Sequence, residues 1–383
     1  MLGSNVCSES NFNSVAGKMQ KLTVAIPTRN RLPFLRRTLE HMLGLPAPEG
    51  LEVNFSVAAT ASQDGTPAYL NSLIEKELRV TVNTRQTTWT RWNLIHLAKI
   101  VPIDSDWVWL FGDDDMLVDG MCWKKIADLI NIARAENASI ICIPQAKRVP
   151  QKEAVYVDHL ASLCGRFGLH EVLGWMTSLV MRRDVFAGFS AAMRIRFASV
   201  RTDTGMRRSR VSPFFHALEL FSQYGNTPAV LALQCIVDEQ TTQAVKKMHT
   251  EHSRNEEHLR DRLVYTFAEY LDLLKQDGRA RNLHFYRYVN KTFLDLMINI
   301  ISEDCLRKVP SHLVQPKIDQ LSNLVHMVNL DNSARPYLVM LSSLQQIGSR
   351  TESLSDRDCD VLKQLFELTR TPYLGEIVSE PST

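Results

Sequence analysis

Trp107-Val108-Trp109-Leu110-Phe111-Gly112-Asp113-Asp114-Asp115 is the stretch whose reading decides the fold. Five consecutive apolar residues give no alternation between an inner and an outer face. That is the pattern of a strand covered on both sides, as in a parallel sheet flanked by helices. The run then stops at a glycine and three adjacent carboxylates. Like charges this close repel unless a cation or solvent neutralises them. In open parallel sheets, ligands collect at the carboxyl ends of strands, so the triplet stands where a site belongs. Strand alternation would aim Asp113 and Asp115 to one side. Hard Mg²⁺ or Mn²⁺ favours such oxygens and usually takes one or two carboxylates together with substrate phosphates. The plain alternative, an acidic turn that caps a helix before Met116 or Asp119, is outweighed by the buried strand in front of it.

Working outward, the same grammar repeats. Leu22 to Ile26 is a short β-favouring run ended by Pro27. Leu32, Leu35, Leu39, Met42 and Leu43 form one helical stripe, with Asn30 at the expected N-cap and Pro33 tolerated in the first turn. Strands are expected at 51–57, 78–82 and 139–143, and helices at 68–77, 91–101 and 119–135. Strands alternating with helices of this length indicate an α/β, doubly wound, mostly parallel sheet. Beyond residue 150 the pattern loosens. Residues 175–181 read as a strand and 190–212 as an arginine-rich stretch without clean periodicity. From about 250 the signal is helical, beginning with Leu259, Leu263, Phe267, Leu271 and Leu274 and continuing through 285–301. The expected organisation is a polar leader (1–20), an α/β domain (21–245, in halves 21–145 and 146–245), a C-terminal helical domain (246–375) and a short tail (376–383). A chain of 383 residues suits about two domains.

Composition narrows the function. With 44 basic and 42 acidic residues the net charge is +2, so no global charge argues for a nucleic-acid partner. Seven scattered cysteines without C-x-x-C are neither a disulfide framework nor a zinc module. No apolar run is long enough to span a membrane, and the first twenty residues lack a signal-peptide core. G-x-G-x-x-G, Walker and G-x-S-x-G motifs are absent, which argues against dinucleotide oxidoreductases, P-loop NTPases and α/β-hydrolases.

Four elements in order then carry a resemblance. Val24-Ala25-Ile26-Pro27-Thr28-Arg29-Asn30-Arg31 resembles the opening strand of the family 2 glycosyltransferases, apolar-I-P-T-x-N-R. Ser62-Gln63-Asp64-Gly65-Thr66 resembles their S-x-D-G-T loop, Arg91-x-Asn93 their R-N helix, and Trp107 to Asp115 their D-x-D strand. The resemblance covers about 21–145, and the W-x-W-L-x-x-D-D-D variant is most similar to the abequosyltransferase-like bacterial group that decorates lipopolysaccharide or capsule. It implies a GT-A fold and inverting transfer of a sugar from a nucleotide-diphosphate donor to a saccharide or lipid-linked acceptor. Pro27, Thr28, Arg29, Asn30, Asp64, Arg91, Asn93, Asp113 and Asp114 would contact the donor. Asp113 and Asp115 would hold Mg²⁺ or Mn²⁺. Two departures stand out. Ala59 and Thr60 occupy the place of the family's acidic base-reading residue, and the E-D pair that supplies the general base is missing. His216 lies nearest that position, with Glu219 one helical turn on.

The resemblance further implies work on the cytoplasmic side, where nucleotide-sugars are made. Peripheral contact with the membrane's inner face and self-association are left open. Arg194, Arg196, Arg201, Arg207, Arg208 and Arg210 form a local basic stretch, read either as a loop meeting an anion or as a solvated surface. His249-x-x-His252 reads as an exposed helical face, and Trp92 and Trp175 are candidates for stacking on a sugar ring. The rival function is a GT-A-fold protein that has lost catalysis and acts as a scaffold through its helical domain.

Overall fold

The computed structural model describes residues 19–59, 62–75, 80–83, 91–145, 153–167, 172–201, 215–240, 294, 297–328 and 335–368. An eight-stranded sheet is built from β1 (Gln20–Pro27), β2 (Leu51–Ala58), β3 (Val80–Asn83), β4 (Trp107–Leu110), β6 (Ile140–Cys142), β7 (Ala154–His159), β8 (Leu179–Arg182) and β9 (Pro228–Leu233), in the order β3-β2-β1-β4-β8-β6-β9-β7. The first four strands are parallel neighbours. β8 is antiparallel to β4 and β6, and β7 antiparallel to β9. The chain leaves β1 towards β2 on one side and later returns to place β4 on the other. The crevice at the ends of β1 and β4 is therefore the topological switch point, where such sheets bind ligands.

The Trp107–Phe111 run is buried on both faces, as its pattern predicts. Trp107, Trp109 and Phe111 join one hydrophobic cluster with Leu22, Val24 and Ile26, while Val108 and Leu110 join the other with Ala25. Trp109 meets Trp123 of α4 (Cys122–Ala135) edge-on, with ring centroids 6.1 Å apart. Around the sheet lie α1 (Leu32–Gly44), α2 (Thr66–Glu75), α3 (Arg91–Ile100), α5 (Leu160–Phe167), α6 (Arg183–Arg201) and α7 (Phe215–Tyr224). Three later helices follow, α8 (Ser311–Val328), α9 (Arg335–Gly348) and α10 (Asp356–Leu368). Leu294, Met297, Ile301, Val314, Ile318, Leu344 and Leu362 bury into the same cluster as Leu97 of α3 and Phe189 of α6. The C-terminal helices thus extend the core on one face of the sheet. No helix among the described residues is long and apolar enough to cross a membrane.

Four sequence expectations change. Residues 183–201 form a helix, because Val185, Phe186, Phe189 and Met193 make a buried stripe at helical spacing. Arg194, Arg196 and Arg201 fall on this helix, where their charge masked the stripe, and Arg207, Arg208 and Arg210 lie outside the described residues. Residues 176–178 are a 3₁₀ turn, and only 179–182 are strand. The two-stranded ribbon of β5 (Asp115–Leu117) and β10 (Val237–Glu239) is new, as are β7, α5 and β9. Asn30 is not the N-cap of α1. It adopts a left-handed conformation (φ 53°), and Arg31 stands at the cap position. The segment 259–274 and His249 and His252 lie outside the described residues.

Candidate active site

Asp113 and Asp114 form a turn between β4 and β5, and the triplet does not continue β4 as an extended strand. The amide of Asp115 donates to the carbonyl of Gly112 at 3.3 Å, which ends the alternation that would have aimed Asp113 and Asp115 together. Arg31 spans two of the carboxylates, and the third turns to Thr177. Asp113 accepts a hydrogen bond from Thr28 Oγ1 at 2.6 Å and pairs with Arg31 Nη1 at 3.0 Å. Asp114 pairs with Arg31 Nη2 at 2.5 Å. Asp115 accepts from Thr177 Oγ1, which in turn accepts from the amide of Gly112 at 2.8 Å. Asp113 and Asp115 are buried, whereas Asp114 keeps 23% of its side chain exposed.

Two further side chains set the backbone of the turn. Thr38, buried on α1, donates to the carbonyls of Asp113 and Asp115, both at 2.9 Å. Gln240 donates from Nε2 to Thr38 Oγ1 at 2.6 Å, and its amide donates to the carbonyl of Asp114 at 2.9 Å. Gly112 is needed for close approach. A Cβ there would overlap Asp115 Oδ2 and lie 3.2 Å from Asp114 Oδ1. Two carboxylates therefore fold back over one bare backbone.

Burial raises the Asp113 carboxyl to about 6, with Arg31 opposing the rise, Asp114 adding to it and Thr28 opposing it. For Arg31, burial alone would favour the neutral form. The charges of Asp113 and Asp114 outweigh it and hold the group above its ordinary value. The donor set suits a hard divalent cation: carboxylate oxygens at the end of a buried strand, those of Asp114 and Asp115 folded over Gly112 and those of Asp113 beside Thr28. No three His, Cys, Asp or Glu side chains among the described residues form a ready cage.

The neighbouring loops are tied to this turn. The Thr28 amide donates to the carbonyl of Ala58 at 2.9 Å, and Asn93 Nδ2 of α3 donates to the Thr28 carbonyl at 2.8 Å. Asn30 Oδ1 accepts from the amide of Gln63 at 2.7 Å, joining the first-strand loop to the S-x-D-G-T loop. Asp64 supplies the cap that Asn30 does not, accepting the Leu32 amide at 2.9 Å while its other oxygen holds Thr66 Oγ1 at 2.6 Å. Burial would raise the Asp64 pKa, but the bonds from Thr66 and Leu32 prevail and lower it. Pro27 and Arg29 are half-buried at the end of β1. Arg91 begins α3, and its side chain, like that of Trp92, lies outside the described residues.

His216 and Glu219 sit one turn apart on α7, both buried. Burial drives His216 down to about 4, against the opposing effect of hydrogen bonds with the backbone of Gly174 and Leu173. The imidazole is thus neutral near pH 7 and does not titrate near neutrality as its residue type alone suggests. Glu219 Oε1 accepts from Gln223 at 2.6 Å. The strap holding His216 runs on to Thr177, the partner of Asp115. Sequence reasoning missed Arg31, Thr38, Thr177 and Gln240 as site residues. Only two left a trace: Arg31 in the P-T-R-N-R run, and Thr38 as a polar residue inside an apolar helical stripe.

Residues 23–176 match the family model described as Glycosyl transferase family 2. No curated protein matches the chain in sequence. Among solved structures, residues 1–349 of TarS from S. aureus in complex with UDP are similar at 12% identity and a TM-score of 0.52, over 91% of this chain and 90% of that one. The mannosyltransferase PcManGT from Pyrobaculum calidifontis, in complex with GDP-Man and Mn²⁺, is similar at 14% identity and a TM-score of 0.46, over 88% of each chain. At 12% identity the TarS likeness concerns the fold, and it agrees with a GT-A type α/β sheet carrying C-terminal helices.

Proposed function

Taking the protein as a glycosyltransferase with a family 2 domain over residues 23–176, we propose that it transfers a sugar from a nucleotide-diphosphate donor, with inversion and with the help of a divalent cation. The observation that carries this reading is the convergence of Thr28, Asp113, Asp114 and Asp115 at the switch point between β1 and β4. The nucleotide lies over the end of β1, against Pro27, Thr28, Arg29 and Asn30. Asn93 holds the Thr28 carbonyl and Asp64 holds the start of α1, so both keep the nucleoside-side loops in place. Asp113 and Asp115 would hold Mg²⁺ or Mn²⁺, and the ion would supply a Lewis acid for the leaving diphosphate.

The acceptor is a saccharide or lipid-linked sugar. Its hydroxyl must lose a proton as it attacks, and His216 is the candidate to take it, with Glu219 the alternative. The neutral imidazole is the form that can accept. The product belongs to surface polysaccharide, as the W-x-W-L-x-x-D-D-D resemblance to the abequosyltransferase-like group suggests, and synthesis takes place at the cytoplasmic face. The test is turnover of UDP-, GDP-, CDP- and dTDP-sugars with Mn²⁺, with Mg²⁺ and with EDTA. Full activity in EDTA, or in an Asp113→Asn, Asp115→Asn double variant, would sink the cation assignment.

A further inference from the structure

Arg31 is a cation placed directly on the acidic turn, and its pose is unusual. The surface pair Arg182–Asp184 uses Nε and Nη2 on a single carboxylate, at 3.0 and 2.6 Å. Arg31 instead spreads its two terminal nitrogens over two carboxylates, Asp113 at 3.0 Å and Asp114 at 2.5 Å. Its Nε is buried without a hydrogen-bond partner, which forgoes part of what a buried guanidinium can gain. The guanidinium rests over the ring of Phe34, 5.1 Å from its centroid. Its side chain is 30% exposed against 4% for Asp113, so the arginine is the outer partner of the pair.

We propose that Arg31 is a built-in counter-ion that competes with the divalent cation for the acidic turn and so sets the cation affinity of the site. The inference rests on the cation reading above. Three ionised aspartates and one guanidinium carry a formal charge of −3 + 1 = −2. Arg31 offsets part of the charge of the triplet, so a divalent ion meets a site already partly neutralised. To gain full access to Asp113, the carboxylate that the arginine and the ion share, the ion must displace the guanidinium or share its oxygens with it. A displaced guanidinium has a second anion within its chemistry, the donor diphosphate. Cation and nucleotide then bind better together than apart, because the nucleotide takes up the cation that the metal releases.

The experiment measures Mn²⁺ alone binding to the full chain, by electron paramagnetic resonance of the free ion at fixed ionic strength. Arg31→Gln is expected to tighten Mn²⁺ at least tenfold, and Arg31→Lys to stay within about threefold of wild type. Arg31→Met, which keeps the stem against Phe34, is expected to behave as Arg31→Gln and serves if the glutamine variant does not fold. In the presence of Mn²⁺, the same charge-removing variants should bind nucleoside diphosphate more weakly than wild type. Mn²⁺ binding that is present in wild type, lost in the Asp113→Asn, Asp115→Asn variant and no tighter in the Arg31 variants overturns the counter-ion role alone. Absence of Mn²⁺ binding in wild type and in every Arg31 variant at millimolar ion overturns the cation reading and this proposal together. A side chain that merely braces the turn would loosen Mn²⁺ when removed, the opposite sign.

Discussion

Replacing Thr177 by valine tests whether the acidic turn is held from the strap as the geometry describes. The side chain is fully buried, and its hydroxyl both donates to Asp115 Oδ2 and accepts from the Gly112 amide at 2.8 Å. Valine keeps the shape and removes both bonds. A hydrogen bond to a charged group contributes about 1.5–3 kcal/mol, and a buried amide left without a partner costs about 1–3 kcal/mol. The two losses share one atom and are not independent, so a combined cost of about 3 kcal/mol is the working figure. For a domain of this size that corresponds to a fall in melting temperature of about 6–12 °C. The assay is thermal unfolding in EDTA, followed by tryptophan emission. Trp109 reports locally, since its indole N–H donates to the Thr177 carbonyl at 2.8 Å. Thr177→Ser should recover most of the loss, short of the buried methyl. In the Asp115→Asn background the same Thr177→Val change should cost clearly less, because the charged acceptor is gone. A loss below about 1 kcal/mol for Thr177→Val, or an equal loss in the Asp115→Asn background, would refute the reasoning.

Other outcomes follow from the same geometry. Gly112→Ala should destabilise the chain by about 1–3 kcal/mol and weaken Mn²⁺ binding, because the new methyl overlaps Asp115 Oδ2 and forces the carboxylate off Thr177; calorimetry with Mn²⁺ reads both effects. Asp113, raised to about 6 from 3.8, contributes stability that is present below pH 4 and lost as pH rises through 6. In EDTA, Asp113→Asn should remove that fall, worth up to about 3 kcal/mol, and a melting-temperature profile that keeps it would count against the burial argument. His216, lowered to about 4 from 6.5, works in the opposite direction: its stability is present above 6.5 and lost as pH falls through 4. Should His216 be the base, His216→Gln should cost 10²–10⁴-fold in kcat while Glu219→Gln costs far less; the reverse ranking would transfer the role to Glu219.

The parts of the fold that could be read early are those whose own residues specify them. Leu22–Ile26 and Trp107–Phe111 are apolar at successive positions, so burial on both faces follows from the run itself. The β5–β10 ribbon could not be read that way. Asp115-Met116-Leu117 is three residues long and exists as a strand because Val237 to Glu239 lie antiparallel beside it. The same divide runs through the site. Carboxylates in a row announce themselves, and Thr28 and Asp113 were legible from their places at adjacent strand ends. The uncharged residues that fix them act across 62 positions for Thr177 and Asp115, and across 202 for Gln240 and Thr38. No local pattern marks a threonine or glutamine as the partner of a residue that far away. His216 shows the remaining gap: its type and position were legible, but its protonation state depends on burial, which belongs to the tertiary structure.

Three adjacent carboxylates are tolerated because no two depend on the same set of neighbours. Asp113 is held from β1 and Arg31, Asp114 from Arg31, and Asp115 from the strap before β8. The backbone beneath them is fixed by Thr38 of α1 and by Gln240 beyond β10. Thr177 and Gln240 lie after residue 145, whereas Thr28, Arg31 and Thr38 lie before it. Residues from both ends of the sheet's sequence therefore meet at one turn. The strap that pins Asp115 also holds His216 through Leu173 and Gly174. His216 and Asp115 are thus linked by four residues of backbone. Any shift of that strap at Leu173 and Gly174 is passed on to Thr177, and Thr177 cannot move without releasing Asp115.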